Sequence, residues 1–227
     1  MTIHTKAMHL ALLLVAAGVA GSASATLMTY DNKAAFLSGT NATLATAPYS
    51  DTGFNSFTGP FSTFTSGSVT FNQVGASQLF FGDASTRLSG GELTISDVED
   101  LDVQLAASVY ALGFDFVEPE LDPLVFASFF DSTFTVTLLS GSTNVGSFTF
   151  NAPNDQAAFV GVWSSVSFTG VRIRETNGGI DNEFYGQFYT GNPPLQPVPE
   201  PETYAMLLAG LGLLGVVARR RRQQLAV

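Results

Sequence analysis

The stretch TFTVTLLSGSTNVGSFTF, residues 133–150, contains two runs in which apolar and small polar residues alternate. In the first run Phe134, Val136 and Leu138 alternate with threonines, and a period of two places them on one face of a β-strand. Ser140-Gly141-Ser142 supplies turn residues between the two runs, so the stretch predicts a β-hairpin. A hairpin with one apolar face indicates an antiparallel all-β domain.

Short runs of the same kind, separated by turn residues, occur along most of the chain. The predicted strands are Ser68–Phe71, Gln78–Phe81, Glu92–Ile95, Ser108–Phe116, Thr133–Leu139, Gly146–Phe150, Ala158–Trp163, Ser165–Arg174 and Glu183–Tyr189. One short helix is predicted near the start, with Asp31 as its N-cap and Ala34 to Leu37 in its first turns. About ten short strands in a domain of this size predict an antiparallel β-sandwich or a jelly-roll-like domain.

The N-terminal end of the chain has the composition of an export signal. Lys6 is followed by a long apolar run and then by small residues, which predicts a secretory signal peptide over residues 1–25. Ala23 and Ala25 form the small-x-small pattern that signal peptidase recognises. We therefore expect cleavage before Thr26.

The C-terminal end divides into three segments after a predicted β domain at residues 26–190. Residues 191–202 form a proline-rich linker, which favours an extended chain. Residues 203–218 are uncharged and apolar, and they predict a single transmembrane helix. Residues 219–227 are a basic tail that should stay on the cytoplasmic side and hold the body outside. The predicted membrane stop consists of Arg219, Arg220, Arg221 and Arg222.

The linker ends in a short motif directly before the apolar segment: Val198, Pro199, Glu200, Pro201 and Glu202. Together with the apolar helix and the arginines, it resembles the PEP-CTERM sorting signal, also catalogued as the ice-binding protein C-terminal domain. The resemblance implies that exosortase, a membrane-embedded transpeptidase-like protease, processes the protein in a Gram-negative bacterium that makes extracellular polysaccharide. It also implies an inner-membrane anchor before sorting, and the cell envelope or extracellular matrix as the destination.

The charge of the chain excludes several classes of function. The sequence has 9 Lys and Arg against 19 Asp and Glu, and a net charge of −10. Residues 26–197 hold 4 cations and 17 acids, or −13, so this stretch has no basic face for a nucleic acid. There is no cysteine, and both histidines, His4 and His9, lie in the predicted signal peptide. Thiol catalysis and a Ser–His–Asp triad are therefore excluded, and we predict a non-enzymatic protein without catalytic residues.

Clustered acids are the most site-like feature of the body. The cluster Asp97, Glu99, Asp100 and Asp102 offers oxygen ligands of the kind that Ca²⁺ accepts, although its spacing is not that of an EF-hand. A solvated acidic loop explains the same pattern, and no other cofactor is predicted. Two further acidic groups allow the same two interpretations: Glu118, Glu120 and Asp122, and Asp181, Asn182 and Glu183.

Aromatic residues give a second kind of candidate site. Trp163, Tyr185 and Tyr189 could stack on the sugar rings of an extracellular polysaccharide, or they could belong to the core. The main prediction is an exported, non-enzymatic surface or matrix protein associated with a biofilm or exopolysaccharide. A carbohydrate-binding module is one alternative, and a secreted hydrolase that uses a carboxylate pair is the other.

Overall fold

A computed structural model describes residues 25–49, 58–82, 87–97, 99–118, 131–177, 181–192, 206–211 and 214. The described part of the body contains one helix, α1 (Lys33–Thr40), and twelve strands: β1 (Leu27–Tyr30), β2 (Thr43–Leu44), β3 (Thr58–Phe61), β4 (Thr63–Ser66), β5 (Val69–Gln73), β6 (Gln78–Gly82), β7 (Glu92–Asp97), β8 (Leu101–Val117), β9 (Thr133–Ser140), β10 (Thr143–Phe150), β11 (Ala158–Asn177) and β12 (Asp181–Gly191). The described strand pairs are all antiparallel, which confirms the all-β prediction.

The predicted hairpin at residues 133–150 is confirmed. Strands β9 and β10 pair from Ser140 with Thr143 onward, and Gly141 between them adopts a φ of 61°. Glycine suits this position because it enters the left-handed region without a steric cost. The alternating apolar residues of β9 are fully buried, as their period predicts.

The sheet folds over on itself to form two facing halves. Phe116 of β8 pairs with Ala158 of β11, whereas Phe134 of β9 pairs with Glu175 at the far end of β11. Those two positions of β11 lie 17 residues apart in sequence, or about 56 Å along an extended strand. The rings of Phe116 and Phe134 are nevertheless 5.5 Å apart. The β8–β11 ribbon must therefore bend in its middle and bring its two ends together.

The bend lies where the sequence suggested a break between strands. The predicted strands Ala158–Trp163 and Ser165–Arg174 are one continuous strand, β11, so the predicted break is wrong. The pairing of β11 with β8 shifts register between Trp163 and Phe168, and bulges of this kind bend a strand. Ser164 is buried, and its hydroxyl accepts a hydrogen bond from the Val166 amide at 3.1 Å. Polar residues therefore mark a bend within β11 and not a turn.

Aromatic rings fill the space between the two halves. The Phe114 ring lies 6.0 Å from Phe150 and 5.1 Å from Phe188, while Phe116 lies 5.3 Å from Phe150 and 5.1 Å from Tyr185. Edge-to-face and offset pairs at these distances add to the free energy that burial of the rings provides. Phenylalanine rings from both halves thus meet in the core, beside buried valine, leucine and isoleucine side chains.

Helix α1 begins one residue later than predicted. Its N-cap is Asn32 and not Asp31, because the Asn32 side chain accepts a hydrogen bond from the Ala35 amide at 2.9 Å. The helix packs Phe36 against the outer face of the sheet, where Gly113 of β8 pairs with Gly161 of β11. Two paired glycines leave room for the ring because neither position carries a side chain.

This glycine pair generates the first testable prediction. A Cβ atom at Gly161 would lie 2.9 Å from Phe36 Cδ2 and 2.9 Å from Phe159 Cε1. We expect Gly161→Ala to lower the free energy of unfolding by about 1–3 kcal/mol, because it overpacks this contact. Urea denaturation measures the change. Gly170→Ala in the same strand is the matched control, because its Cβ would meet its nearest atom at 3.4 Å. Equal stabilities of the two variants would contradict the prediction.

Candidate functional site

The residues of the predicted calcium cluster have different surroundings in the structure. Asp100 and Asp102 both pair with Arg174 of β11: its Nε lies 3.5 Å from Asp100 Oδ2, and its Nη2 contacts Asp102 Oδ1. Glu99 is fully buried, and the side chain of Asp97 lies outside the described residues. Asp102 belongs to strand β8, so the part of the cluster after residue 100 is not a loop.

Arg174, near the end of β11, makes structural contacts with the first residues of β8. Besides the two carboxylates, its Nη1 donates to the carbonyl oxygens of Leu101 at 3.0 Å and Ile173 at 2.9 Å. Burial raises the pKa of Asp100, while the Arg174 charge and the amide of Glu175, which donates at 3.1 Å, act in the opposite direction. The guanidinium therefore ties the first residues of β8 to the last residues of β11.

Four further polar residues lie beside this ion pair, at the end where the folded ribbon closes. Glu118 accepts a hydrogen bond from the Ser132 amide, and the Ser132 hydroxyl donates to Glu175 Oε1 at 2.9 Å. Because Phe184 pairs with Val117, Glu183 comes next to Glu118 in the register of β12 and β8. Ser132 thus connects acids from the two halves of the sheet.

Four of these acids each lie two residues away from a buried core residue of the same strand or strand end. Glu99 precedes Leu101 by two residues, Glu118 follows Phe116 by two, Glu175 follows Ile173 by two, and Glu183 precedes Tyr185 by two. A period of two makes each of them continue the inward face of a core strand. Glu99, Glu118 and Glu183 are fully buried. We call Glu99, Asp100, Glu118, Glu175 and Glu183 the acidic end.

Tyr185 connects the acidic end to the aromatic core. Burial raises the pKa of the Tyr185 hydroxyl well above its usual range, and the charges of Glu183, Glu99, Asp100 and Glu175 raise it further. The Tyr185 hydroxyl is therefore coupled electrostatically to the acids of this end. Sequence reasoning named Glu118 and Glu183 as members of two acidic groups, each either a set of calcium ligands or a solvated loop, and it missed Glu175. Their positions two residues beyond core residues were the signal that could have found them.

No metal centre is formed by these side chains as they stand. Across the part of the chain that the structure describes, no three His, Cys, Asp or Glu side chains are grouped so that they could hold a metal ion. Of the other predicted acidic residues, Glu120, Asp122 and the side chains of Asp181 and Asn182 lie outside the described residues.

The predicted stacking residues do not form a common surface. Tyr185 is fully buried and Trp163 is 4% exposed, so neither ring offers a face to a sugar. Tyr189 is partly buried, and Lys33 Nζ lies 4.4 Å above its ring centre. Lys33 also pairs with Asp115 at 2.8 Å, and Tyr189 donates to the same carboxylate at 3.3 Å. Burial lowers the pKa of Lys33, but its hydrogen bonds to Asp115 and Tyr189, together with the charges of those two groups, raise it overall.

A groove lies at another place, where β1 comes near β10. It has a volume of about 540 Å³ and is partly open to solvent. The lining combines aromatic rings with polar groups that can hydrogen bond, among them Tyr30, Asp31, Phe148, Asn151 and Phe159. Sugar rings need a combination of this kind, namely apolar faces for stacking and polar side chains for hydroxyl groups.

The two terminal signals lie largely outside the described residues. Ala23, the motif Val198–Glu202 and the basic stop Arg219–Arg222 are among the residues not described. Thr26 is described, and it exchanges hydrogen bonds with Ser165 one residue before β1. Residues 206–211 and 214 are helical. Among the described residues, no helix has both the length and the apolar character needed to cross a membrane.

The Arg174 contacts generate the second prediction. Arg174→Met should lower the free energy of unfolding by about 1–3 kcal/mol, because it removes hydrogen bonds to two carboxylates and two backbone carbonyls. Arg172→Met is the control, since Arg172 is an exposed residue of the same strand and should change stability by no more than about 0.5 kcal/mol. Urea titration measures both, and a larger effect at Arg172 would contradict the role of Arg174.

Comparison with known proteins identifies the C-terminal segment. Residues 197–222 match the family model of the PEP-CTERM protein-sorting motif. The match includes the linker motif, the apolar segment and the four arginines, and it confirms the resemblance drawn from those residues. No curated protein matches the chain. The chain therefore carries a PEP-CTERM protein-sorting motif, which is the signal of a secreted protein that exosortase sorts.

Proposed function

We propose that the protein is a non-enzymatic component of the cell surface or extracellular matrix, whose β domain is displayed outside after sorting. The observation that carries the proposal is the sorting motif at residues 197–222. Cleavage after Ala25 agrees with this proposal, because it would leave Thr26 one residue before β1 and keep the whole described sheet. Signal peptidase and exosortase are then the processing enzymes.

The C-terminal helical residues support a membrane stage before sorting. Their apolar side chains are 56–75% exposed, namely those of Met206, Leu207, Leu208, Leu211 and Leu214. Contiguous exposed apolar side chains favour a lipid or protein environment over water. Arg219 to Arg222 follow directly in sequence and would stay on the cytoplasmic side, with the body outside.

Burial of the acidic end supports a non-enzymatic role over a hydrolase. A carboxylate pair that hydrolyses a glycoside must flank the scissile bond of a substrate. Glu99, Glu118 and Glu183 are fully buried between the two halves of the sheet, so they do not face a groove that a polysaccharide could enter. The groove between β1 and β10 contains Asp31 as its acid, without a second carboxylate among its described lining residues.

The groove favours carbohydrate binding as a second candidate function. Its aromatic and amide side chains suit an extracellular polysaccharide, and it replaces Trp163, Tyr185 and Tyr189 as the candidate contact surface. Binding there would retain the displayed domain in the matrix of the cell that exports it. The sorting proposal does not depend on this second candidate.

The sorting proposal predicts that processing can be lost while export is kept. Replacing Pro199, Glu200 and Pro201 with alanines should leave export intact but abolish processing, so the full-length form should accumulate in the membrane fraction. Immunoblots of membrane and medium fractions from a host that carries exosortase measure this. Alanine at Gln223 and Gln224, beyond the matched segment, is the control and should be processed normally. Normal processing of the triple variant would refute the role of the motif.

The carbohydrate proposal predicts a loss of binding at the groove. Asp31→Ala combined with Asn151→Ala should weaken binding to the host's purified extracellular polysaccharide about tenfold, because polar contacts are lost at two exposed positions. Co-sedimentation measures the affinity, and Asn177→Ala, an exposed position outside the groove lining, is the control. Binding by the double variant at wild-type strength would exclude the groove, and absence of wild-type binding would exclude the second candidate.

A further inference from the structure

Basic side chains are absent from the described lining of the groove between β1 and β10. Residues 26–197 contain four lysine and arginine residues and no histidine, so the body has no further basic side chain to supply. Two of the four have partners elsewhere: Arg87 pairs with Glu92 at 3.6 Å, and Arg174 contacts Asp100 and Asp102. Neither of these guanidinium groups is available to a ligand in the groove.

The other two basic side chains are not part of the groove either. Lys33 follows Asp31 by two residues, but its Nζ donates to both oxygens of the Asp115 carboxylate, at 3.1 and 2.8 Å. Arg172 alternates with buried core residues of β11 and therefore lies on the outer face of that strand, where it lines a separate polar depression. A ligand with carboxylate or sulfate groups would thus meet no basic side chain in the groove.

The polar side chains of the groove offer acceptors of hydrogen bonds more than donors. Asp31 is exposed, and among the described residues its carboxylate, which can only accept, has no hydrogen-bond or ion-pair partner. Asn151 donates from its Nδ2 to Asp131 Oδ1 at 2.7 Å, which leaves its amide oxygen as an acceptor and places a second carboxylate beside the lining. Thr29 and Thr149 add hydroxyl groups, which donate or accept. The groove is therefore negatively charged and suits a ligand that donates hydrogen bonds.

One aromatic ring of the lining is not committed to the ring contacts of the core. Phe148 is half-buried against the core, and within the described part of the chain its ring makes no aromatic pair. By contrast, the Phe150 ring stacks on Phe134 at 5.2 Å, and the Phe159 ring lies 5.2 Å from Phe36. An aromatic face packs against the apolar face of a sugar and attracts an ammonium group. Phe148 therefore complements the acceptors of the groove.

We propose that the groove binds a polysaccharide whose hexosamine units carry free amino groups. Asp31 pairs with the ammonium group, the Asn151 amide oxygen accepts from a hydroxyl or ammonium group, and Phe148 stacks on a sugar ring. The inference rests on the carbohydrate-binding candidate and names its ligand class, and it is independent of the sorting proposal. Residues 26–197 carry a charge of −13, so the surrounding protein also attracts a basic polymer and repels an acidic one.

Binding of defined oligosaccharides to the protein purified from its host tests this ligand class. Isothermal titration calorimetry compares oligomers of glucosamine, N-acetylglucosamine and galacturonate of equal length, at a slightly acidic pH where amines are protonated and aspartate is ionised. The glucosamine oligomer should bind about fivefold more tightly than its acetylated counterpart, because acetylation removes the charge that pairs with Asp31. The galacturonate oligomer should show no measurable binding.

A pair of isosteric variants tests the part that Asp31 plays in this preference. Asp31→Asn should bind the glucosamine and N-acetylglucosamine oligomers equally, because it removes the negative charge of the lining and keeps an acceptor oxygen. Asp155→Asn is the matched control, since it removes the same charge at an exposed position outside the lining, and it should keep the preference. A preference that survives in Asp31→Asn would overturn the proposed contact.

The outcomes on the wild-type protein separate this inference from the carbohydrate-binding candidate. Equal binding of the glucosamine and N-acetylglucosamine oligomers, or binding of the galacturonate oligomer, overturns the amino-sugar class and leaves the candidate function standing. Co-sedimentation with the host's extracellular polysaccharide, without binding of the glucosamine oligomer, has the same meaning. Absence of binding to that polysaccharide and to all of the oligomers excludes the candidate function and this inference together.

Discussion

The contact between Phe116 and Phe134 sets the geometry on which the rest of the structure depends. The two rings belong to parts of the sheet that a flat ribbon would hold far apart, and they meet because β8 and β11 bend together. The bend creates an enclosed aromatic core from one continuous sheet. It also brings the four ends of two long strands to the same side of the molecule. The acidic end lies at those strand ends, and the groove lies where the bend brings β1 near β10.

The consequence for the acids follows from strand periodicity. A residue two positions beyond a core phenylalanine or isoleucine still points between the two halves, where little water reaches it. Acids at Glu118 and Glu175 therefore approach each other from opposite halves, and Ser132 bridges them. In a chain without disulfides, the closure of this open end rests on such polar contacts and on Arg174.

Sequence reasoning predicted the antiparallel class, the β9–β10 hairpin and most of the central strands, because each depends on local alternation. It did not predict that Ala158–Asn177 is one strand, because bulges and a bend are set by packing between distant residues. It placed the helix correctly but assigned its cap to Asp31, one position before the residue that makes the capping bond. The acidic groups were visible in the sequence, but their convergence depends on the bend, which local patterns do not encode. Trp163 and Tyr185 were assigned to stacking or to the core, and their burial resolves that choice in favour of the core.

The tail is recognised by its local sequence, whereas the body is defined by contacts between residues far apart in sequence. This difference explains why the tail alone indicates the destination of the protein. The tail is recognised by its order along the chain: a proline-containing motif, an apolar segment and then four arginines. None of these needs a partner in the body. The body, by contrast, is defined by contacts between residues far apart in sequence, so a short motif cannot identify it. Positive charge next to an apolar segment fixes orientation much more strongly than negative charge does. The acidity of the body is therefore not required for its placement outside the membrane.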